Sequence, residues 1–370
     1  MFSITATYFL YNSILFVCPL LCHLADKRNK RFLRFLAYFI LIFVASIRFD
    51  IGADYENYYF SIEKIADLIS YSDVSLEDCI RTEPALYLFT YLFSWISEPS
   101  IYVIGLYAII SLFLYYKIFD YYDIHTLGII TLILSFVYFQ TWDWMRQGLA
   151  LAICIYSTKY INENSLWKFL LCILCATLTH YSALLMLIWY PLRKVNLHAK
   201  IYGISIILIM VLGIMGLFKG LSSFFYDIIP HYSDIYYGSD HMQGGGNTYT
   251  SPTYILVMLC YSMILFICPQ KYSFEATLLF IGVAIYGVSG GNLNMDRMAW
   301  YFTTIQVILL PQIYKYYIGT SRQFILSTIL IVYFIIFNFV YIYGGFRGCT
   351  PYETIYSTEY QELYFRERDY

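Results

Sequence analysis

Apolar runs of bilayer length dominate the chain and leave few folds open to it. They occupy residues 2–24, 32–47, 100–119, 124–140, 145–161, 166–192, 200–218, 253–269, 274–290, 298–314 and 324–343, with a shorter run at 84–96 behind Glu83-Pro84. A bilayer core takes about 20 apolar residues of helix per crossing. Helix is also the element that satisfies its own backbone hydrogen bonds in lipid. A β-barrel needs alternating ten-residue strands, whereas these runs are continuously apolar. The expected fold class is all-α: a polytopic integral membrane protein with about 12 crossings, half-helices among them, and external loops at 48–82 and 219–250.

Composition agrees. Of the 370 residues, 60% are hydrophobic and 13% charged, about half the charged share of a soluble domain. The 42 Tyr and 29 Phe suit helices that meet lipid–water interfaces many times. Lys and Arg total 23 against 25 Asp and Glu, a formal charge of −2, so there is no basic excess to neutralise a nucleic-acid backbone. No repeat of 20–50 residues and no Pro/Ser-rich linker divides the chain. The expected organisation is a single transmembrane helical domain over 1–343 and a short extracytoplasmic tail over 344–370. Cys172 and Cys175 have CxxC spacing, but their flanks are Leu, Ile and Ala, which reads as helix packing.

Orientation follows from the basic residues of short loops. The connection after the first run carries Lys27, Arg28, Lys30, Arg31 and Arg34 and is expected to face the cytoplasm. That places the N-terminus, 48–82 and 219–250 outside. Two arrangements of the middle are open. If 84–96 spans and 166–192 is one pass, Lys117, Lys159 and Lys168 face out and Arg146 faces in. If 84–96 is a half-helix and 166–192 a tight hairpin with its tip near His180, the three lysines face in and Arg146 faces out. Three cations against one favour the second.

Polar groups inside such a chain are expensive and mark sites. They fall in five clusters: Arg48, Asp50, Asp54 and Glu56 in SIRFDIGADYENYY; Arg81 and Glu83 in RTEP; Asp143, Arg146 and Gln147 in WDWMRQG; His180, Tyr181 and Ser182 in THYSA; Asp296 and Arg297 in GNLNMDRM. In the favoured arrangement all five open on the outer face. Guanidinium groups pair with phosphate oxygens and keep their charge when partly desolvated, and histidine exchanges a proton near neutrality. The set therefore suits a lipid-linked diphosphate whose tail stays in the bilayer. Each residue also has a plainer reading. Arg48 can snorkel to headgroups, the aspartates can cap or solvate a loop, Arg146 can pair with Asp143, and His180 can be a satisfied core histidine. His231 and His241 lie ten apart in loop 219–250, a spacing too loose to assign a metal. No phosphate loop, HExxH or GxSxG motif is present.

RFDIGADYENYY at 48–59 resembles the Arg-x-x-x-Gly-x-Asp-Tyr-x-x-Tyr signature of the EpsG-like family of Wzy-type polysaccharide polymerases. Glu83-Pro84 before an aromatic-rich helix, Met145 to Ala150 (MRQGLA) and Ala176 to Leu184 (ATLTHYSAL) are similar to further elements of that family, in the same order. The resemblance implies glycosyl transfer outside the cytoplasm between two undecaprenyl-diphosphate-linked oligosaccharides, in O-antigen or capsule assembly at the bacterial inner membrane. A flippase and a chain-length regulator are the partners it implies. Arg48, Arg146, Arg81 and Arg297 are then candidates for the diphosphate, with Glu83, Asp50 and Tyr181 around them. His180, or Asp54 or Asp50, is the candidate base, and Tyr232, Tyr236 and Tyr237 are candidate sugar contacts. No nucleotide or other cofactor is needed, and no spacing asks for a metal. An O-antigen ligase-like enzyme and a transporter or flippase of lipid-linked oligosaccharide share the composition. Internal inverted repeats would favour transport, and none is visible.

Overall fold

A computed structural model describes residues 3–71, 75–218 and 248–356. Among them the chain is helical, and the one β-contact is an isolated antiparallel bridge between Arg48 and Thr354. The fold class expected from the sequence is thus all-α, as found. Among the described residues, four helical runs are long and apolar enough to cross a membrane: Ile4–Arg28, Pro99–Tyr122, Gln270–Ser289 and Ser321–Ile342. A fifth candidate is the pair His125–Leu134 and Val137–Asp143, bent by 57°. Five further apolar helices have 10–17 residues. At 1.5 Å rise per residue, even a 16-residue helix covers only about 24 Å. The protein is membrane-embedded, built from full-length, bent and short helices.

By internal packing the chain forms two compact units, one of residues 1–184 with 333–370 and one of residues 185–332. In the first unit, α1 (Ile4–Arg28) packs on α2 (Arg31–Ser46) and on α7 (His125–Leu134). The amphipathic α3 (Tyr55–Ser70) buries Tyr55, Tyr58, Tyr59 and Ile62 and packs on α6 (Pro99–Tyr122). Glu63 ties the two, its carboxylate accepting the Ser100 N–H at 3.1 Å in the first turn of α6, where orphan donors await a partner. Two short helices lie between them in the chain, α4 (Leu76–Arg81) and α5 (Pro84–Phe93). The ten-residue α5 starts at Pro84, whose fixed φ suits a first helical position. The bent pair continues α7 into α8 (Val137–Asp143), and after Trp144 the chain enters α9 (Met145–Asn162) and then α10 (Leu166–Thr179).

One end of this unit gathers basic residues. Arg34 bridges Asp26 and Asp120 at 2.6 and 2.9 Å. Beyond Asp120, the Tyr122 hydroxyl accepts from Asn162 at 2.9 Å. Lys159 lies over the Tyr121 ring and Lys168 over the Tyr160 ring. Lys117, on the last turns of α6, belongs to the same end. Arg146 and His180 stand at the opposite ends of α9 and α10. The three lysines therefore share an end of this unit with the basic Arg34 connection.

The second unit holds α11 (Trp189–Leu192), α12 (Ala199–Ile214), α13 (Pro252–Ile267), α14 (Ser273–Ser289), α15 (Leu293–Thr303), α16 (Gln306–Tyr316) and most of α17 (Ser321–Ile336). Glycines allow its close packing. A Cβ on Gly282 would lie 2.7 Å from the Thr303 nitrogen, and one on Gly203 would lie 2.8 Å from the Ser262 carbonyl oxygen. Loop 219–247, with Tyr232, Tyr236 and Tyr237, and the tail from 357 on lie outside the described residues.

Candidate active site

Glu83 organises the first unit's polar end. It precedes Pro84 with φ +72, a conformation that costs a non-glycine residue about 1–3 kcal/mol and persists where the surroundings impose it. Its side chain is 7% exposed and both oxygens are engaged. Arg146 Nη1 donates to Oε2 at 2.7 Å, and His180 Nδ1 lies 2.6 Å from Oε1. The Tyr181 N–H approaches the same Oε1 at 3.4 Å. The carboxylate thus joins the RTEP, WDWMRQG and THYSA clusters. Arg146 and His180 keep 30% and 28% of their side-chain surface exposed, so both remain reachable.

Local chain breaks present these groups. The α8–α9 pair is interrupted at Trp144 (φ −103, ψ 63), which puts Arg146 in the first turn of α9. Gly148 makes the fold-back possible, since a Cβ there would meet the Thr141 Cα at 2.7 Å. Helix α10 stops at Thr179, His180 is extended, and a 3-10 stretch follows over Tyr181–Ile188. His180 therefore sits at a helix break within the long apolar run, with its ring free of the helical ladder. The Tyr181 hydroxyl donates to the Ile80 carbonyl, which holds the segment before Glu83 against it.

The SIRFDIGAD segment packs against the end of α8. Arg48 is 1% exposed. It donates through Nη1 to the Ala45 carbonyl and through Nη2 to the Trp142 carbonyl, the latter at 3.0 Å. Its guanidinium also lies 5.7 Å from the Trp142 ring and 5.9 Å from the Tyr55 ring. Buried and bonded to two backbone carbonyls, Arg48 staples α2 to α8. The neighbouring glycine has an equally specific duty. Gly52 has φ +105, and a Cβ on it would lie 2.9 Å from the Asp143 Cα. Only glycine lets the segment approach that closely. Asp54 starts α3, and its N–H donates to Asp143 Oδ1 at 3.1 Å. Asp50 adopts φ +51 in the turn.

A further cation enters from the far end of the chain. After the π-helical turn Phe337–Ile342, residues 344–356 run back as a strap over this segment. Gly52 N–H donates to the Gly348 carbonyl at 3.2 Å, Phe49 N–H to Glu353 at 3.0 Å, and Ile355 N–H to Ile47 at 3.0 Å. The hydroxyls of Tyr11 and Tyr352 anchor the strap at the Cys349 and Val44 carbonyls. It delivers Arg347, whose Nε donates to Asp143 Oδ2 at 2.6 Å. Sequence reasoning missed Arg347 because it falls in the expected tail, outside the five polar clusters. The available signal was an arginine bracketed by Gly345 and Gly348 just past an apolar helix.

Of the remaining candidates, Arg81 ends α4, close in sequence to Glu83. Arg297 lies on α15 in the second unit, beside Asp296. The Asp296 carboxylate accepts from the Ser289 hydroxyl at 2.6 Å, and burial pushes it up to about 7 against the lowering effect of that bond.

The arrangement is a histidine oriented by a buried carboxylate, beside a half-exposed guanidinium paired with the same carboxylate. Comparison with curated proteins returns no match, and neither does comparison with solved structures. The family model of the EpsG family matches residues 31–354, a stretch that takes in Glu83, Arg146, His180 and Arg347, and the chain belongs to the EpsG family.

Proposed function

We propose that the protein is a polysaccharide polymerase that transfers a growing glycan from undecaprenyl diphosphate to the non-reducing end of another lipid-linked repeat unit. The observation that carries this reading is the Glu83 carboxylate joined to His180 and Arg146. Membership of a polymerase-like glycosyltransferase family supports it. A carboxylate on Nδ1 fixes the imidazole tautomer and leaves Nε2 as the proton acceptor. The acceptor hydroxyl oxygen attacks the anomeric carbon as its proton passes to His180 Nε2. The anomeric C–O bond breaks, and its electrons leave with the diphosphate. Arg146 stabilises the charge that develops there, in the manner of other preorganised cations. His180 then returns its proton to water. Diphosphate is a competent leaving group, so no general acid is required. His180 takes precedence over Asp54 and Asp50 as base because it is the group the buried carboxylate orients. Arg48 acts by holding the α2–α8 junction.

The active end faces the periplasm or other extracytoplasmic side of a bacterial inner membrane, opposite the end that gathers Arg34, Lys159 and Lys168. That polarity follows the positive-inside rule. Twelve crossings complete the topology, with α5 as a half-helix and the short helices contributing partial spans. Tyr232, Tyr236 and Tyr237 of loop 219–250 are assigned to the glycan, and Arg81 and Arg297 remain candidates for the substrate diphosphate. A flippase would supply the repeat unit and a chain-length regulator would set polymer length. The deciding experiment is reconstitution of the purified protein with lipid-linked repeat units. The expected result is a glycan ladder together with released undecaprenyl diphosphate. Movement of intact lipid-linked units across the bilayer without bond exchange would establish a transporter instead.

A further inference from the structure

Arg146 is one guanidinium, and a diphosphate carries more charge than one guanidinium compensates. The first unit contains a second cation at the same turn. Asp143 and Arg146 flank Trp144, and each belongs to an arginine–carboxylate pair: Asp143 with Arg347, Arg146 with Glu83. Arg347 also lies over the Trp144 ring, 4.7 Å from its centroid. The indole is therefore covered by one guanidinium and followed two residues later by the other.

Three features separate Arg347 from a surface arginine. Its backbone has φ +58, ψ 29, a left-handed conformation that is uncommon for residues other than glycine and marks sites where surroundings over-determine the chain. The strap that carries it is pinned directly after Arg347 by the Gly348, Cys349, Tyr352, Glu353 and Ile355 bonds, which tie it to Tyr11 and to residues 44–52. The Asp143 bond is made through Nε, and a guanidinium has further N–H donors in its planar fork. The side chain is 18% exposed, whereas that of Asp143 is 2% exposed. The aspartate is thus the buried anchor and the arginine the accessible member.

We propose that Arg347 is a second phosphate-binding residue of the donor site, delivered by the C-terminal strap and oriented by Asp143, so that Arg347 and Arg146 together select a diphosphate over a monophosphate. This rests on the polymerase reading above. The bland alternative is that Arg347 serves only to neutralise the buried Asp143.

A charge-neutral pair separates the two. The full-length protein is purified in nanodiscs, and undecaprenyl diphosphate and undecaprenyl phosphate are titrated as probes. The variants are Arg347→Lys, Arg347→Gln and the double variant Asp143→Asn/Arg347→Gln. Wild type is expected to prefer the diphosphate. Each folded Arg347 variant, the double included, should bind the diphosphate about tenfold more weakly, the worth of a lost charge-assisted contact, with the monophosphate little changed. If Arg347 only neutralises Asp143, the double variant recovers wild-type diphosphate affinity, and recovery to within about twofold overturns the proposal. Arg347→Lys keeps a cation beside Asp143 and so supplies the same readout if the neutral variants do not fold. Wild-type affinity and selectivity in it are equally fatal. If wild type itself binds neither probe, the polymerase reading fails; if wild type binds and the Arg347 variants match it, only the Arg347 assignment fails.

Discussion

Glu83 Oε1 lies 2.6 Å from His180 Nδ1 across 97 residues of sequence, and in the proposed mechanism this contact leaves Nε2 as the proton acceptor. It also predicts an asymmetry between two small changes. Glu83→Gln keeps the shape but can present its N–H₂ group to the ring, which removes the tautomer control and the ion pair with Arg146. Turnover should fall by about 10²–10⁴-fold, the usual worth of acid–base assistance, while the protein still inserts. The check is initial rate of ladder formation at equal amounts of reconstituted protein, and a rate within threefold of wild type would make the Glu83 contact a packing feature.

His180→Gln should behave likewise. It preserves volume and one hydrogen bond to Glu83 but offers no proton acceptor comparable to imidazole. The expected outcome is loss of turnover by about 10²-fold or more with undecaprenyl diphosphate affinity intact. A core histidine would show the reverse: modest loss of expression and little loss of rate.

Gly52 carries a prediction about stability. Gly52→Ala forces a Cβ to within 2.9 Å of the Asp143 Cα and strains a backbone at φ +105. Backbone cannot give way as a flexible side chain can, so the turn must open and the bonds to Gly348 and Asp143 must lengthen. The melting temperature in detergent should drop, by a destabilisation on the order of 1–3 kcal/mol. An unchanged melting curve would show that the segment tolerates displacement.

The legible part of this protein was its polar residues in apolar surroundings, because burying such groups in a membrane chain is costly enough to mark them. RTEP, WDWMRQG and THYSA stood out for that reason, and Glu83 does join them. What could not be read was which partner each group takes. Arg48 and Arg146 look alike in sequence, each close to an apolar run. One donates to the carbonyls of Ala45 and Trp142, and the other is a partly exposed guanidinium paired with the buried Glu83 carboxylate. That difference is set by long-range packing of α2, α8 and α9, to which local pattern is blind. The strap was hidden for the same reason, since its bonds run from residues 348–355 back to residues 7–52.

Asp296 supplies a pH dependence in the second unit. Its carboxyl is raised to about 7 by burial, above its unfolded value near 4, so the folded state prefers the protonated form. Its contribution to stability is fully present below about pH 4 and is lost as pH rises toward 7. The melting temperature should therefore decline across that window and level off above it. Asp296→Asn, which can still accept from Ser289, should flatten the decline. A wild-type curve that rises over the same window would contradict the assignment.

Arg48 and Arg146 give the sharpest contrast, because one conservative change should have opposite consequences at the two positions. Arg48 is buried and makes two hydrogen bonds to backbone carbonyls. A lysine there cannot span both, and a buried carbonyl left without its donor costs about 1–3 kcal/mol. Arg48→Lys should lower the melting temperature and the yield, yet the molecules that fold should polymerise at close to the wild-type rate. Arg146 is partly exposed and held by a surviving carboxylate. Arg146→Lys keeps that ion pair but loses the planar fork that meets two phosphate oxygens at once, so it should fold normally and lose turnover. Measuring rate per folded molecule against melting temperature for both variants separates a staple from a binder. If Arg48→Lys proves stable but inactive, Arg48 contacts substrate in a state more open than this one, and the diphosphate site extends to α2. If Arg146→Lys instead melts early with its rate intact, the Glu83–Arg146 pair is architectural, and Arg347 is left as the cation that meets the leaving group.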